Sequence, residues 1–196
     1  GVGKSSLLTS FAHKIEADVV VLALVGERGR EIRDYAQSIL GDVGLSRTIV
    51  VASAADAPST ARSRCPLTAM RIAEWFRDRG SHVLVIMDSI TRFAEAQREV
   101  AVMAGEFPSL RGFPASTPSQ ITKLAERAGP GIHGTGDITA ILSVLVAGSD
   151  INEPVSDMLR GVLDGHILLD RTLAQRGHFP AVDLLASVSR ALPKAA

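Results

Sequence analysis

The chain opens with Gly1, Val2, Gly3, Lys4, Ser5 and Ser6. This is the back half of a phosphate-binding loop, G-x-x-x-x-G-K-[ST], with Gly3, Lys4 and Ser5 at matching places and the first glycine falling upstream of residue 1. Glycine lets backbone N–H groups curl around phosphate oxygens, the lysine reaches the β- and γ-phosphates, and the serine hydroxyl ligates Mg2+. A helix starting near Lys4 aims its positive end at the anion. Taken alone the G-K-S tripeptide is weak, because a Gly-rich helix start reads the same way.

A second element strengthens it. Val83 to Asp88 (V-L-V-I-M-D) is an apolar run ending in a carboxylate, the Walker B pattern, in which Asp88 holds Mg2+ through its water shell. The competing reading of Asp88 is an N-cap for the following helix. A third group is Glu27, in G-E-R directly after the apolar run Val19 to Val25. There it is placed to orient or deprotonate an attacking water. A solvated surface charge is the alternative, since Arg28, Arg30, Glu31 and Arg33 stand beside it.

These residues share a site only if strands bring them to one edge. Val19 to Val25, Thr48 to Ala52, Val83 to Met87 and Ile138 to Val146 read as strands buried on both faces. Weaker strands are expected at Ile167 to Leu169 and near Ala181 to Leu185. Leu67, Met70, Ala73 and Phe76 mark one helix, and Phe93, Ala96, Val100 and Met103 mark one face of another. Gly105 to Pro118 reads as a loop or interrupted segment, and Gly129 to Gly136 as a Gly-rich loop. Alternating strands and helices give an α/β fold with a mostly parallel sheet flanked by helices. In such sheets ligands bind at the carboxyl edge, where Lys4, Glu27 and Asp88 would meet.

Composition narrows the classes. The chain has 196 residues, 46% hydrophobic and 21% charged, which excludes collagen-like, disordered and disulfide-scaffold proteins. Twenty-one basic residues balance 21 acidic ones, so electrostatic capture of nucleic acid is not expected. One cysteine, Cys65, forbids an internal disulfide and reads as an ordinary thiol in a reducing, cytoplasmic setting. The longest apolar run falls far short of the ~20 residues of a spanning helix. His13, His82, His133, His166 and His178 lack metal-ligand spacing, so no zinc is expected. Trp75 reads as helix packing.

Longer stretches carry a resemblance. M-D-S-I-T-R-F-A-E-A-Q-R-E, A-G-E-F-P-S-L-R-G-F-P, L-A-E-R-A-G, L-D-G-H-I-L-L-D-R and F-P-A-V-D-L-L-A-S-V-S-R resemble the flagellar and type III secretion export ATPases. That family is similar to the catalytic subunit of rotary ATP synthases. The resemblance covers essentially the whole chain. It implies a P-loop NTPase core of RecA type over residues 1–196, with the family's N-terminal β-barrel and C-terminal helical domain outside it. It implies ATP as substrate with Mg2+, and a homo-hexameric ring peripheral to the membrane at the cytoplasmic face of the inner membrane. Export-apparatus stalk and regulator proteins, secreted substrates and chaperones are the implied partners, and no nucleic acid. Residue by residue it assigns Gly1, Val2, Gly3, Lys4, Ser5 and Ser6 to the phosphate loop, Ser5 and Asp88 to Mg2+, and Glu27 to catalysis. Arg28 and Arg92 become basic residues lining the nucleotide site, Phe179 an aromatic packing on adenine, and Arg190 an arginine finger for a neighbouring subunit.

The segment after Pro114 departs from the family's P-P-S-V-F-A-x-L-P-x-L, so residues 115–123 leave substrate contact and coupling open. Three rivals keep the fold. D-S-I-T-R also resembles the RNA translocase Rho, opposed by the neutral charge and by A-G-E-F-P. A non-hydrolysing nucleotide-binding subunit is opposed by the presence of Glu27. A rotary synthase subunit is opposed by A-Q-R-E and E-R-A-G. Flagellum and injectisome stay open as alternatives, with the flagellum favoured.

The strand that precedes a phosphate loop is normally internal to its sheet, and each buried ladder group left unpaired costs about 1–3 kcal/mol. Residues 1–196 expressed alone are therefore expected to be unstable or to aggregate. A cooperative melt with tight ATP binding by the isolated chain would overturn this.

Overall fold

The computed structural model describes residues 2–34, 37, 45–109, 112–146 and 153–191. Alternation along strand β1 (Val19–Glu27) sets the layering, because successive side chains leave opposite faces of a sheet. Val20, Leu22 and Leu24 join Leu8 and Ala12 of helix α1 (Lys4–Lys14). Val21, Ala23 and Val25 point the other way, into a core shared with Met70 and Ala73 of α2 (Ser59–Arg77) and Phe93 of α3 (Ile90–Met103). Strand β3 (His82–Asp88) repeats the pattern, with Leu84 and Ile86 on the α1 side and Val83, Val85 and Met87 on the other. Both strands are covered on both faces, so neither carries a polar residue between its first position and its carboxyl end. Full burial of each such side chain contributes roughly 1.5–3 kcal/mol.

Strand β2 (Thr48–Ala54) flanks β1 on its outer side, and β5 (Asp137–Leu142) flanks β3. These four strands are parallel, and the two-residue β4 (Gly129–Pro130) is antiparallel to β5. The strand order is β2-β1-β3-β5-β4. This is the mostly parallel α/β sheet expected, with helices on both faces. Helix α4 (Ser116–Ala125) adds Ile121 and Leu124 to the larger core, and α5 (Pro154–Arg160) adds Val155 and Leu159. Strand β6 (Gly165–Leu169), helix α6 (Arg171–Gln175) and strand β7 (Val182–Ser189) follow, with β6 and β7 paired antiparallel in a second sheet. Leu169 pairs with Val182 and His166 with Val188, so residues 184–187 loop out of the ladder. Asp183 Oδ1 holds that bulge by accepting from the N–H groups of Leu185 and Ala186, at 3.0 Å each.

Some boundaries differ from the sequence reading. Helix α4 starts at Ser116, inside the segment read as a loop up to Pro118. Pro118 sits in the first helical turn, where an N–H has no intrahelical partner to lose. Strand β5 ends at Leu142 and not at Val146, because Ser143 turns its backbone to Met87 and Ile90. Met103, read as part of a helix face, is 68% exposed, since the last turn of α3 runs past the core and Ala101 makes the buried contact. Trp75 lies half exposed on α2 and is stacked by its own helix, with the Arg79 guanidinium 3.7 Å above the ring. Cys65 is buried, and desolvation pushes its thiol pKa up to about 11. Its Sγ donates to the Val51 carbonyl at 3.4 Å, so it is a packed, unreactive thiol. No helix among the described residues is long and apolar enough to cross a membrane.

Thr117 lies in the segment that departs from the family pattern. It is fully buried on α4, and its Oγ1 has no hydrogen-bond partner. Valine has the same shape without the stranded hydroxyl, so Thr117→Val should stabilise the fold by about 1 kcal/mol. A melting temperature unchanged or lowered in this variant would show that the hydroxyl is satisfied in solution.

Candidate functional site

The parallel sheet places the ends of β1 and β3 at one edge. Leu24 pairs with Asp88, so β1 runs on past Asp88 to Glu27. Gly26 makes this extension possible. It sits at a register shift between Val25 and Glu27 with φ 69°, and a Cβ there would approach Arg92 Cβ to 3.2 Å. Arg92, in the first turn of α3, therefore lies across the backbone beside Glu27, with its Nη1 donating to Glu95 Oε2 at 2.9 Å.

Lys4 reaches the same edge from the other side of the sheet. Gly3 precedes α1 in the left-handed region (φ 87°, ψ 17°), a turn that favours glycine. The first turn of α1 has no acidic residue and no side-chain cap. Its free N–H groups and positive dipole end are left for an anion. Ser5 and Ser6 are exposed on that turn and Val2 is half-buried beside it. Gly1 lies outside the described residues.

The link is direct. Lys4 Nζ donates to Asp88 Oδ1, joining the start of α1 to the end of β3. Asp88 is 4% exposed, so this is a carboxylate held out of water by donors. A second donor was not foreseen from sequence: Ser143, just after β5, donates its Oγ to the same Oδ1 at 2.7 Å. Its sequence signal was weak, since Thr139 as well as Ser143 interrupts the apolar run Ile138 to Val146.

Burial raises the Glu27 pKa above its ordinary 4.5, and the nearby Asp88 carboxylate raises it further. Lys4 and Arg92 oppose that shift and Glu31 adds to it. A carboxylate with elevated basicity at a strand end is suited to accept a proton.

Phe179 packs at the loop. A Cβ on Gly3 would lie 3.4 Å from its ring, and the residue is 58% exposed. Two other expected residues are not drawn into this cluster. Arg28 is exposed and pairs along its own segment with Glu31 at 3.6 Å. Arg190 follows β7, at the end of the second sheet opposite Phe179, with its N–H donating to the Asp164 carbonyl at 2.7 Å. The ladder from Leu169–Val182 to Gly165–Ser189 separates these two ends by four β6 steps, about 13 Å.

Among the described residues no three His, Cys, Asp or Glu side chains gather into a metal cage. Mg2+ does not require one, since it is commonly bound through one or two protein oxygens plus substrate phosphates. Asp88 already carries a cationic group, the Lys4 ammonium, on a buried carboxylate oxygen. Together with the Ser5 hydroxyl this is a hard oxygen donor set that fits Mg2+.

A parallel sheet with a Gly-Lys-Ser turn opening α1 and an acid closing β3 defines the class of P-loop nucleotide-binding cores. The chain belongs to the ATP synthase alpha/beta family, whose nucleotide-binding domain model matches residues 1–189. A flagellum-specific ATP synthase of Rhizobium meliloti is 54% identical over 195 residues, covering 100% of this chain and 42% of that protein. A solved ATPase from the type III secretion system of pathogenic bacteria superposes with a TM-score of 0.93 at 45% identity, covering 98% of this chain and 55% of that one. The assembled ATPase EscN with its central stalk EscO, from the type III secretion system of enteropathogenic E. coli, superposes with a TM-score of 0.88 at 46% identity, covering 97% and 44%. The chain thus spans less than half the length of the flagellar relative it matches.

The raised Glu27 pKa has a signed consequence. The folded protein holds the protonated form more tightly than the unfolded chain does. Ionised Glu27 therefore lowers stability at neutral pH, and the deficit vanishes as pH falls below the unfolded value near 4.5. A glutamine at this position mimics the protonated acid at every pH. Glu27→Gln should melt above wild type at pH 7 to 8, with the gap closing towards pH 4. A gap that is absent or inverted at neutral pH would contradict the desolvated carboxylate.

Proposed function

We propose that this domain, within its complete protein, hydrolyses Mg·ATP and thereby energises export of flagellar proteins through a type III secretion apparatus. The observation that carries the reading is the Lys4–Asp88 contact at the sheet edge where β1 also delivers Glu27. The flagellar relative is 54% identical, against 47% for a type 3 secretion system ATPase of Xanthomonas euvesicatoria, which favours the flagellum over an injectisome.

On nucleotide binding, Lys4 leaves Asp88 for the β- and γ-phosphates, and the N–H groups at the start of α1 donate to phosphate oxygens. Ser5 and Asp88 would hold Mg2+, which when bound would neutralise charge on the phosphate oxygens. Glu27 orients a water for in-line attack on the γ-phosphorus and takes its proton. The bond from γ-phosphorus to the bridging oxygen breaks, and ADP departs with that electron pair. Phe179 packs against the adenine. Arg92 adds positive charge beside Glu27, and Arg28 lines the same site once nucleotide draws it in.

Arg190 serves a different site. Its place at the far end of the second sheet from Phe179 suits a finger that acts on the nucleotide of an adjoining subunit, in a homo-hexameric ring. A guanidinium brings a permanent charge and a fork of donors to phosphoryl oxygens. EscN is assembled and carries a central stalk, EscO. The same arrangement is proposed here, with a stalk and regulator proteins of the export apparatus, exported substrates and their chaperones as partners. The ring would sit at the cytoplasmic face of the inner membrane, and the zero net charge fits a machine that does not bind nucleic acid.

The test uses the complete protein. Arg190→Ala should retain ATP affinity and lose turnover by roughly 1,000-fold, the scale of arginine fingers. Lys4→Ala should lose nucleotide binding. Mixed rings of the two variants pair some intact Lys4 sites with intact Arg190 fingers, so part of the activity should return. Arg190→Ala monomers turning over as fast as wild type would refute the finger.

A further inference from the structure

Ser143 is a polar residue at the end of an apolar strand, and its backbone and its side chain have separate partners. Its N–H donates to the Met87 carbonyl at 2.9 Å, and its carbonyl accepts from the Ile90 N–H at 3.0 Å. These bonds alone fix the end of β5 against the end of β3 and the start of α3. Two residues on, Thr91 Oγ1 accepts from the Leu145 N–H at 2.9 Å, a further tie for the same segment. The Ser143 hydroxyl is left with one partner, Asp88 Oδ1, at 2.7 Å. The residue is 8% exposed, and a carboxylate can only accept, so the hydroxyl donates.

Lys4 and Ser143 thus share one carboxylate oxygen, Lys4 from the start of α1 and Ser143 from just past β5. When Lys4 turns to phosphate, Asp88 keeps a donor on that oxygen only through Ser143 among the described residues. A buried carboxylate stripped of its donors is costly and free to rotate. We infer that Ser143 is a positioning residue that holds the Asp88 carboxylate in its Mg2+-binding orientation after Lys4 has left for the nucleotide. The inference rests on the proposed roles of Lys4, Ser5 and Asp88. It adds a hydroxyl-bearing position just past β5 to the requirements of the site.

Outer partners of metal ligands, when removed, cost about 10–100-fold in metal affinity. In the complete protein, Ser143→Ala should bind ADP as wild type does in EDTA, by fluorescence titration of a labelled nucleotide. It should lose about tenfold or more of the affinity gained on adding Mg2+. Mn2+ binding to the ADP complex, followed by electron paramagnetic resonance, should weaken in parallel. Ser143→Thr keeps the hydroxyl and should restore both. Ser143→Thr and Ser143→Val match in shape and differ by that hydroxyl, so they give the same comparison should Ser143→Ala fail to fold. In an Asp88→Asn background, removing the Ser143 hydroxyl should change nothing further.

Equal losses with and without Mg2+ would make Ser143 a structural residue and overturn the inference. So would an unchanged Mg2+ dependence in a protein whose Lys4→Ala variant loses nucleotide, and in that case the phosphate loop would stand while the role of Ser143 fell. Lys4→Ala binding nucleotide as wild type does would bring down both.

Discussion

One contact organises the nucleotide edge of this domain: the ammonium of Lys4 on the buried carboxylate of Asp88. It requires α1 to start where β3 ends. That juxtaposition is created by packing Leu8 and Ala12 of α1 onto Leu84 and Ile86 of β3 and the even-numbered residues of β1. It also requires β3 to be central and unable to slide. Ladder bonds to β1 on one side and β5 on the other secure that, with apolar layers on both faces. The pair neutralises itself. The ionised lysine is held ready without leaving an unpaired charge in a site that water barely reaches on the Asp88 side.

The fold was largely legible because it rests on signals that sequence carries locally. Val19 to Val25 and Val83 to Met87 are apolar without interruption because both faces are covered, and each ends at the acid that closes its strand. What failed was judgement of punctuation. Pro118 looked like a breaker, yet a proline in a first helical turn breaks nothing. Val144 to Val146 looked like more of a strand, yet the Ser143 carbonyl had already turned from the ladder to the Ile90 N–H. Both depend on bonding partners elsewhere in the chain, which no window of sequence contains.

The site divides in the same way. Lys4, Glu27 and Asp88 were readable because each marks the end of an element, and a parallel sheet gathers those ends. Ser143 was not, since its meaning lies in register: Met87 pairs with Leu142, which sets the following residues, Asp88 and Ser143, side by side. Arg92 lies beside Glu27 across Gly26, and that fit depends on a positive φ that the letters G-E-R only permit. Phe179 and Arg190 came from resemblance alone, and a short ladder in a second sheet sets them apart.

Helix α3 begins two residues after Asp88, with Ser89 as its N-cap, and Ile90 is tied by its N–H to Ser143. Its opening turn is therefore bolted to the same rigid strand end that grips Lys4. From there 14 residues run as one helix, a stiff rod of about 21 Å, to Met103 and then Phe107, which is 89% exposed. The core-packed helix thus carries an element fixed at the nucleotide edge out to an apolar tip, Met103 and Phe107, that stands in solvent.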